Sequence, residues 1–345
     1  MEMLYSVVIY GLTFISSTFF IWVSERKKRQ RRKWKFWAFI ALFIPSVTAA
    51  FRESGVDFWT YKEIYYYIHG GGAGYTEWGW NLLNKVSPTH KTMLFCAAFI
   101  FLYAVYMALD KLVHDNKAIA WFSFLIIQYT TFFNGMRQML AVAFVFWAMA
   151  FLFERKYAKS VILILIGASF HKTAYFVIIL LWLYYLLIKR RRKIGWIVVA
   201  LSIAALILAP VAIAVVGKMG IFSKYFLNDQ ANISLGFLLY LLPPLFFYYY
   251  KRSIFTSDKL NHYLAIYLLS IPFQVLGFRI TYADRFMWFT QIFIVVLVPM
   301  IVSEYKKIGS EKTVRFLYYA WFVFHHIVIG IIMNGNAIYP YRVFG

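Results

Sequence analysis

Long apolar stretches alternate with short polar breaks along almost the whole chain, and the breaks are rich in Lys and Arg. A helix needs about 20 apolar residues to cross a bilayer core, so the pattern predicts crossings near residues 4–23, 36–51, 92–109, 118–133, 138–153, 194–216, 235–250, 262–278, 286–303 and 314–333. Residues 160–188 need a different reading. They are apolar, yet the flanks Arg155–Lys159 and Lys189–Lys193 are both strongly basic and belong on one side. The segment must therefore leave and return, turning near Gly167-Ala168-Ser169-Phe170-His171-Lys172. Two short helices or a re-entrant hairpin with His171 at its tip satisfy this, and such a tip has to line a cavity. The prediction is an all-α, polytopic membrane bundle forming a single transmembrane domain over residues 1–345, with about 12 membrane segments.

The longest loop expected on the extracytoplasmic side, residues 52–91, is predicted to be partly helical. Asp57, Phe58, Trp59, Tyr61, Ile64, Tyr65 and Ile68 recur at helical spacing and predict an amphipathic helix at the interface. Next come Gly70-Gly71-Gly72-Ala73-Gly74, read as a lid hinge, and then Glu77-Trp78-Gly79-Trp80. No Gly-Lys-Ser/Thr follows the glycines, so they are not a phosphate-binding loop. No internal repeat is evident, which weakens an inverted-repeat transporter reading.

Composition supports the membrane assignment. With 62% hydrophobic and 14% charged residues and a mean hydropathy of +0.65, a soluble enzyme is excluded. The net charge of +22 would suggest nucleic acid in a soluble protein. Here most Lys and Arg fall in the clusters Arg26–Lys35, Arg155–Lys159, Lys189–Lys193, Lys251–Lys259 and Lys306–Arg315, which mark inside loops. That orientation leaves both termini outside and no nucleic-acid partner. The basic run after residues 4–23 reads as an inside flank rather than a cleavage site. A single cysteine, Cys96, provides neither a disulfide framework nor a thiolate metal site.

The arginines left outside, Arg52, Arg137, Arg279, Arg285 and Arg342, cannot serve as orientation signals. A planar, permanently charged guanidinium suits bidentate phosphate recognition. Arg342 has the look of a side chain snorkelling to headgroups, whereas Arg137, after the Asn134-Gly135 break, and Arg285, beside Asp284, are placed to point into the bundle. His171 is the candidate acid or base, because an unperturbed pKa near 6.5 suits proton transfer. Its alternative role is to hydrogen-bond a broken helix. Asp57 and Asp284 lie near arginines, so each either pairs with one or orients a sugar hydroxyl. Aromatic side chains crowd the long loop as an interfacial belt, with some available to stack on sugars.

The succession Arg52, Gly55-Val56-Asp57, Tyr61, Asn134, Arg137-Gln138, Ala141, Phe170-His171-Lys172 and Tyr282 with Arg285 resembles the EpsG family of Wzy-like polysaccharide polymerases. The resemblance departs at Val56, where a threonine is expected. It implies a metal-independent glycosyltransferase without a cofactor, in the bacterial cytoplasmic membrane, acting at the outer face on undecaprenyl-diphosphate-linked oligosaccharides. Membrane lipids, a flippase and a chain-length regulator would be its partners, and surface polysaccharide of the capsule or exopolysaccharide type its product. An acceptor hydroxyl would attack the anomeric carbon of the growing chain and undecaprenyl diphosphate would leave. On this reading Arg137, Arg279 and Arg285 bind the diphosphate, His171 or Asp57 takes the proton, and Arg52 orients Asp57 through an ion pair. Tyr61, Asn134, Gln138, Lys172, Tyr282 and Asp284 orient groups or bind sugar. A transporter or flippase of lipid-linked sugars and a membrane acyltransferase are the alternatives.

Overall fold

A computed structural model of the chain describes residues 2–74, 77–189, 194–218, 235–280 and 282–343. Among them the backbone is helical nearly throughout, and the β contact found is an isolated bridge between Arg52 and Val343. Among the described residues five helices are long and apolar enough to cross a membrane: Glu2–Arg29, His90–Leu112, Met136–Phe153, Ala283–Ile308 and Glu311–Ile332. Four shorter apolar helices accompany them: Lys35–Ala50, Tyr157–Phe170, Lys172–Leu187 and Gly195–Val211. The chain is a helical membrane protein. Its residues group into two compact units, Met1–Tyr175 with Val298–Gly345, and Phe176–Leu297.

In the first unit α1 (Glu2–Arg29) packs on α2 (Lys35–Ala50). The amphipathic helix foreseen in the long loop is α3 (Phe58–His69), which buries Phe58, Tyr61, Ile64, Tyr65 and Ile68, while Trp59 faces outward. A second short helix, α4 (Trp78–Val86), was not foreseen. The glycines foreseen as a hinge, residues 70–74, follow the end of α3 at His69, with Gly71 at φ +87°, and residues 75 and 76 lie outside the described residues. α5 (His90–Leu112) packs on α2, and α6 (Lys117–Phe124) packs on α1. α6 runs through a π turn at Leu125–Tyr129 into α7 (Thr130–Phe132). α8 (Met136–Phe153) lies between α5 and α9 (Tyr157–Phe170). Phe144 of α8 stacks on Phe170 of α9 at 5.9 Å, and Phe101 of α5 stacks on Phe132 at 4.6 Å. Such contacts matter in a membrane, where lipid is as apolar as leucine and helices associate through packing rather than exclusion from water.

The helical pattern breaks at the expected place in residues 160–188. α9 stops at Phe170, His171 is extended, and a 3-10 turn follows over Lys172–Phe176. α10 (Val177–Lys189), α11 (Ile194–Lys218), α12 (Leu235–Tyr250), α13 (Asp258–Leu268) and α14 (Ser270–Gly277) belong to the second unit. Residues 262–278, expected as one span, are thus two helices, with Ser257 capping the first through the Leu260 N–H. A 3-10 turn at Ala283–Met287 leads into α15 (Trp288–Gln291) and α16 (Ile294–Glu304). α17 (Glu311–His325) ends in a π turn at His326–Ile332.

The two ends of the first unit differ in chemistry. At one, Lys28 and Lys117 converge on Asp110 at 2.7 and 2.6 Å, Lys111 meets Glu154 at 2.9 Å, and Arg29 meets Asp115 at 2.7 Å. At the other, where α1 begins and α2 ends, residues 52–57 meet residues 134–136 and the segment 336–343.

Candidate functional site

Residues 134–138 organise this second end. Gly135 breaks the helical run, so Asn134 and Met136 face one loop while Arg137, in the first turn of α8, reaches another. The Asn134 side-chain oxygen accepts the Val56 N–H at 2.8 Å and its amide donates to the Asn336 carbonyl at 2.8 Å. These partners, one a donor and one an acceptor, fix the orientation of the amide. The Asn336 amide donates in turn to Thr130 Oγ1 at 3.0 Å. Gly55 N–H bonds the Ala337 carbonyl at 2.9 Å, and Glu53 N–H bonds the Arg342 carbonyl at 2.7 Å. A C-terminal strap thus braces the loop that leads into Asp57. Gly55 sits at φ +101°, and a Cβ there would stand 3.0 Å from Asn134 Oδ1 and 3.2 Å from Arg52 Nη1. Only glycine fits this turn without strain.

Arg52 is wholly buried beneath this joint. Its guanidinium donates to the Ser54 carbonyl and to Met136 Sδ at 3.7 Å, and lies 4.2 Å from the Phe133 ring centre. Burial lowers its pKa to about 10, which leaves it charged at neutral pH. The expected ion pair with Asp57 is not among its contacts. Arg52 has turned inward, whereas Asp57 sits half-exposed at the N-terminus of α3. Substituting Asn134 with Ala removes both clasps of the joint at once. Both bonds reach solvent, so we expect a loss of about 0.5–1.5 kcal/mol for each, the usual net worth of a hydrogen bond, read as a lower thermal midpoint of the purified protein, with Asn134→Asp falling between wild type and Ala.

The other side of residues 134–138 holds the more reactive set. Arg137 Nη1 donates to Glu77 Oε2 at 2.8 Å, and Glu77 Oε1 accepts the Lys172 N–H at 3.3 Å. Glu77 is the N-cap residue of α4, but its carboxylate leaves the helix end to tie α8 to the break at His171. α4 lies close on α9, because Gly79 presents no side chain to Ser169. Arg137 Nε is buried without a hydrogen-bond partner among the described residues, and Nη1 alone is engaged. The guanidinium therefore retains donors for an anion. His171 Nδ1 accepts the Thr173 N–H at 3.3 Å and lies 2.8 Å from Thr173 Oγ1.

The remaining residues expected at the site are divided between the two units. Tyr61 is buried with its ring 5.3 Å from Trp80, tying α3 to α4. Gln138 is buried within α8 and Lys172 is exposed. Arg279, Tyr282, Asp284 and Arg285 belong to the second unit. There Tyr282 takes a left-handed conformation, Arg285 lies 4.5 Å over its ring, and Arg279 is exposed. No local pattern marks Glu77, Thr173 or Asn336 as members of the site, since the partners of Glu77 and Asn336 are distant in sequence. Among the described residues no group of three His, Cys, Asp or Glu side chains is placed to hold a metal ion.

The sequence model of the EpsG family matches residues 34–343, nearly the whole chain. No curated protein and no solved structure matches.

Proposed function

The chain belongs to the EpsG family, a Wzy-like polysaccharide polymerase family, and on that premise we propose that it joins oligosaccharide units carried on undecaprenyl diphosphate. The acceptor sugar hydroxyl attacks the anomeric carbon of the growing chain. The bond from that carbon to the diphosphate oxygen breaks, the hydroxyl proton passes to His171 or Asp57, and undecaprenyl diphosphate departs with the bonding pair. Fixed positive charge aimed at the leaving group lowers the barrier, because the developing charge meets donors already in place. Arg137 is the residue we assign to this task, and the single supporting observation is its clamp. Glu77 holds one Nη1, other donors remain unused, and the same carboxylate anchors the backbone next to His171. The same role is proposed for Arg279 and Arg285 on the family resemblance of their motif. We further propose about 12 crossings in the bacterial cytoplasmic membrane, with the basic end inside and the Arg137 end outside.

The test is chain growth by the purified protein on lipid-linked oligosaccharide, without nucleotide, metal or acyl donor. A ladder of products supports polymerisation, whereas translocation or acylation without chain growth removes the proposal. Within that assay His171→Ala is expected to slow growth by about a hundredfold or more, the usual contribution of a general base. Asp57→Asn should cost less. Normal ladders from His171→Ala would transfer the proton to Asp57.

A further inference from the structure

A cavity of about 420 Å³ opens at the opposite, basic end of the first unit. Arg26 and Arg29 of α1, Arg315 of α17 and Asn116 before α6 line it, with Trp22 and Tyr319 as aromatic walls. Three guanidinium groups face it, against one lining carboxylate, that of Glu25. Orientation signals need charge near a span end but no cavity. The nearby lysines show that simpler use, since Lys28 and Lys117 are both pinned to Asp110.

The arginines keep donors in reserve. Arg29 spends Nη2 on Glu25 and Asp115, at 2.8 and 2.7 Å. Arg315 spends Nη2 on Glu311 and on Asn116 Oδ1, the latter at 2.9 Å, while its Nε is buried without a hydrogen-bond partner among the described residues. Arg26 has no acidic partner among the described residues, and its guanidinium lies 3.9 Å from the Trp22 ring centre. We propose that this cavity binds a phosphate group, either the headgroup of an anionic phospholipid or a phosphate-bearing solute. Planar forks from two helices converge on one space, which is the geometry that phosphate oxygens accept. Basic pockets between membrane helices hold acidic headgroups in the same way, and Trp and Tyr are at home at that depth. The inference does not depend on the polymerase reading.

Native mass spectrometry of the detergent-purified protein, titrated with phosphatidylglycerol or phosphatidylcholine, tests it. Wild type should prefer phosphatidylglycerol by about tenfold or should bind inorganic phosphate. Arg26→Gln with Arg315→Gln should abolish that binding. Arg31→Gln with Lys33→Gln removes equal charge from the exposed turn after α1 and should change it by less than about twofold. Should Arg315→Gln disturb the protein, Arg26→Gln alone, which loses only the Trp22 contact, should weaken binding about fivefold. Competition by inorganic phosphate assigns the site to a solute, and its failure assigns it to lipid. Equal losses in both double variants would reduce the effect to diffuse surface charge and overturn the site, as would a wild type that neither prefers phosphatidylglycerol nor binds phosphate.

Discussion

Arg137→Ala is expected to leave the protein in the membrane and to slow chain growth on lipid-linked oligosaccharide by about a hundredfold to a thousandfold, the range for losing one donor to a developing oxyanion. Arg137→Lys should recover little, because an ammonium on a flexible stem cannot keep Glu77 and an anion at once with the planar fork. The ion pair complicates a single substitution, since removing Arg137 strands the Glu77 carboxylate, whose side chain is only 12% exposed. Glu77→Gln resolves the ambiguity. Its amide oxygen can still accept the Lys172 N–H, so the break at His171 keeps its anchor. If Arg137 serves only to hold Glu77, the double variant Glu77→Gln/Arg137→Ala should regain activity. If Arg137 meets the diphosphate, the double variant should stay as slow as Arg137→Ala, and Glu77→Gln alone should lose about tenfold, in line with a misplaced group. Recovery in the double variant would withdraw Arg137 from the chemistry.

Gly79→Val should produce the largest structural effect. A Cβ at Gly79 would stand 2.8 Å from the Ser169 carbonyl oxygen and 2.9 Å from Ser169 Cβ, and neither can yield without moving α9. α4 must therefore lift away, and Glu77 precedes Gly79 by two residues while His171 follows Ser169 by two. Overpacking of this kind costs about 1–3 kcal/mol, read as a lower thermal midpoint in detergent. Activity should fall with it, as the Glu77 bridge opens. Gly79→Ala is the milder form, and adding Ser169→Gly should restore part of both, since the carbonyl contact alone remains. A Gly79→Val protein with normal stability and a normal product ladder would show that the α4–α9 contact has no bearing on the site.

The membrane character and the amphipathic α3 were legible because each rests on local periodicity. Phe58, Tyr61, Ile64, Tyr65 and Ile68 form one stripe, and the structure buries all five. The interruption of the helix at His171 falls where the basic flanks of residues 160–188 suggested a turn. π turns leave no such trace. Residues 125–129 are as apolar as their neighbours, and a shift in backbone hydrogen bonding does not alter that pattern. Sequence also read Arg52 as an outward group pairing with a nearby carboxylate, because charge is usually solvated. Tertiary packing instead enclosed it among Phe133, Met136 and the Ser54 carbonyl. Glu77 was undervalued because its partners, Arg137 and Lys172, lie 60 and 95 residues away. The Asn134 link to Asn336 spans 202 residues, and no local pattern encodes it.

That clasp has a bearing on biogenesis. The peptide around Asp57 leaves the ribosome nearly three hundred residues ahead of Asn336, so its turn is inserted long before the strap of residues 336–343 exists to fasten it. Val56 can meet Asn134 early, but Gly55 and Glu53 find their partners at Ala337 and Arg342 only once α17 has threaded into place. A nascent polypeptide stalled before that point would carry residues 53–57 without their strap, so the turn ahead of Asp57 is completed only after α17 has been made.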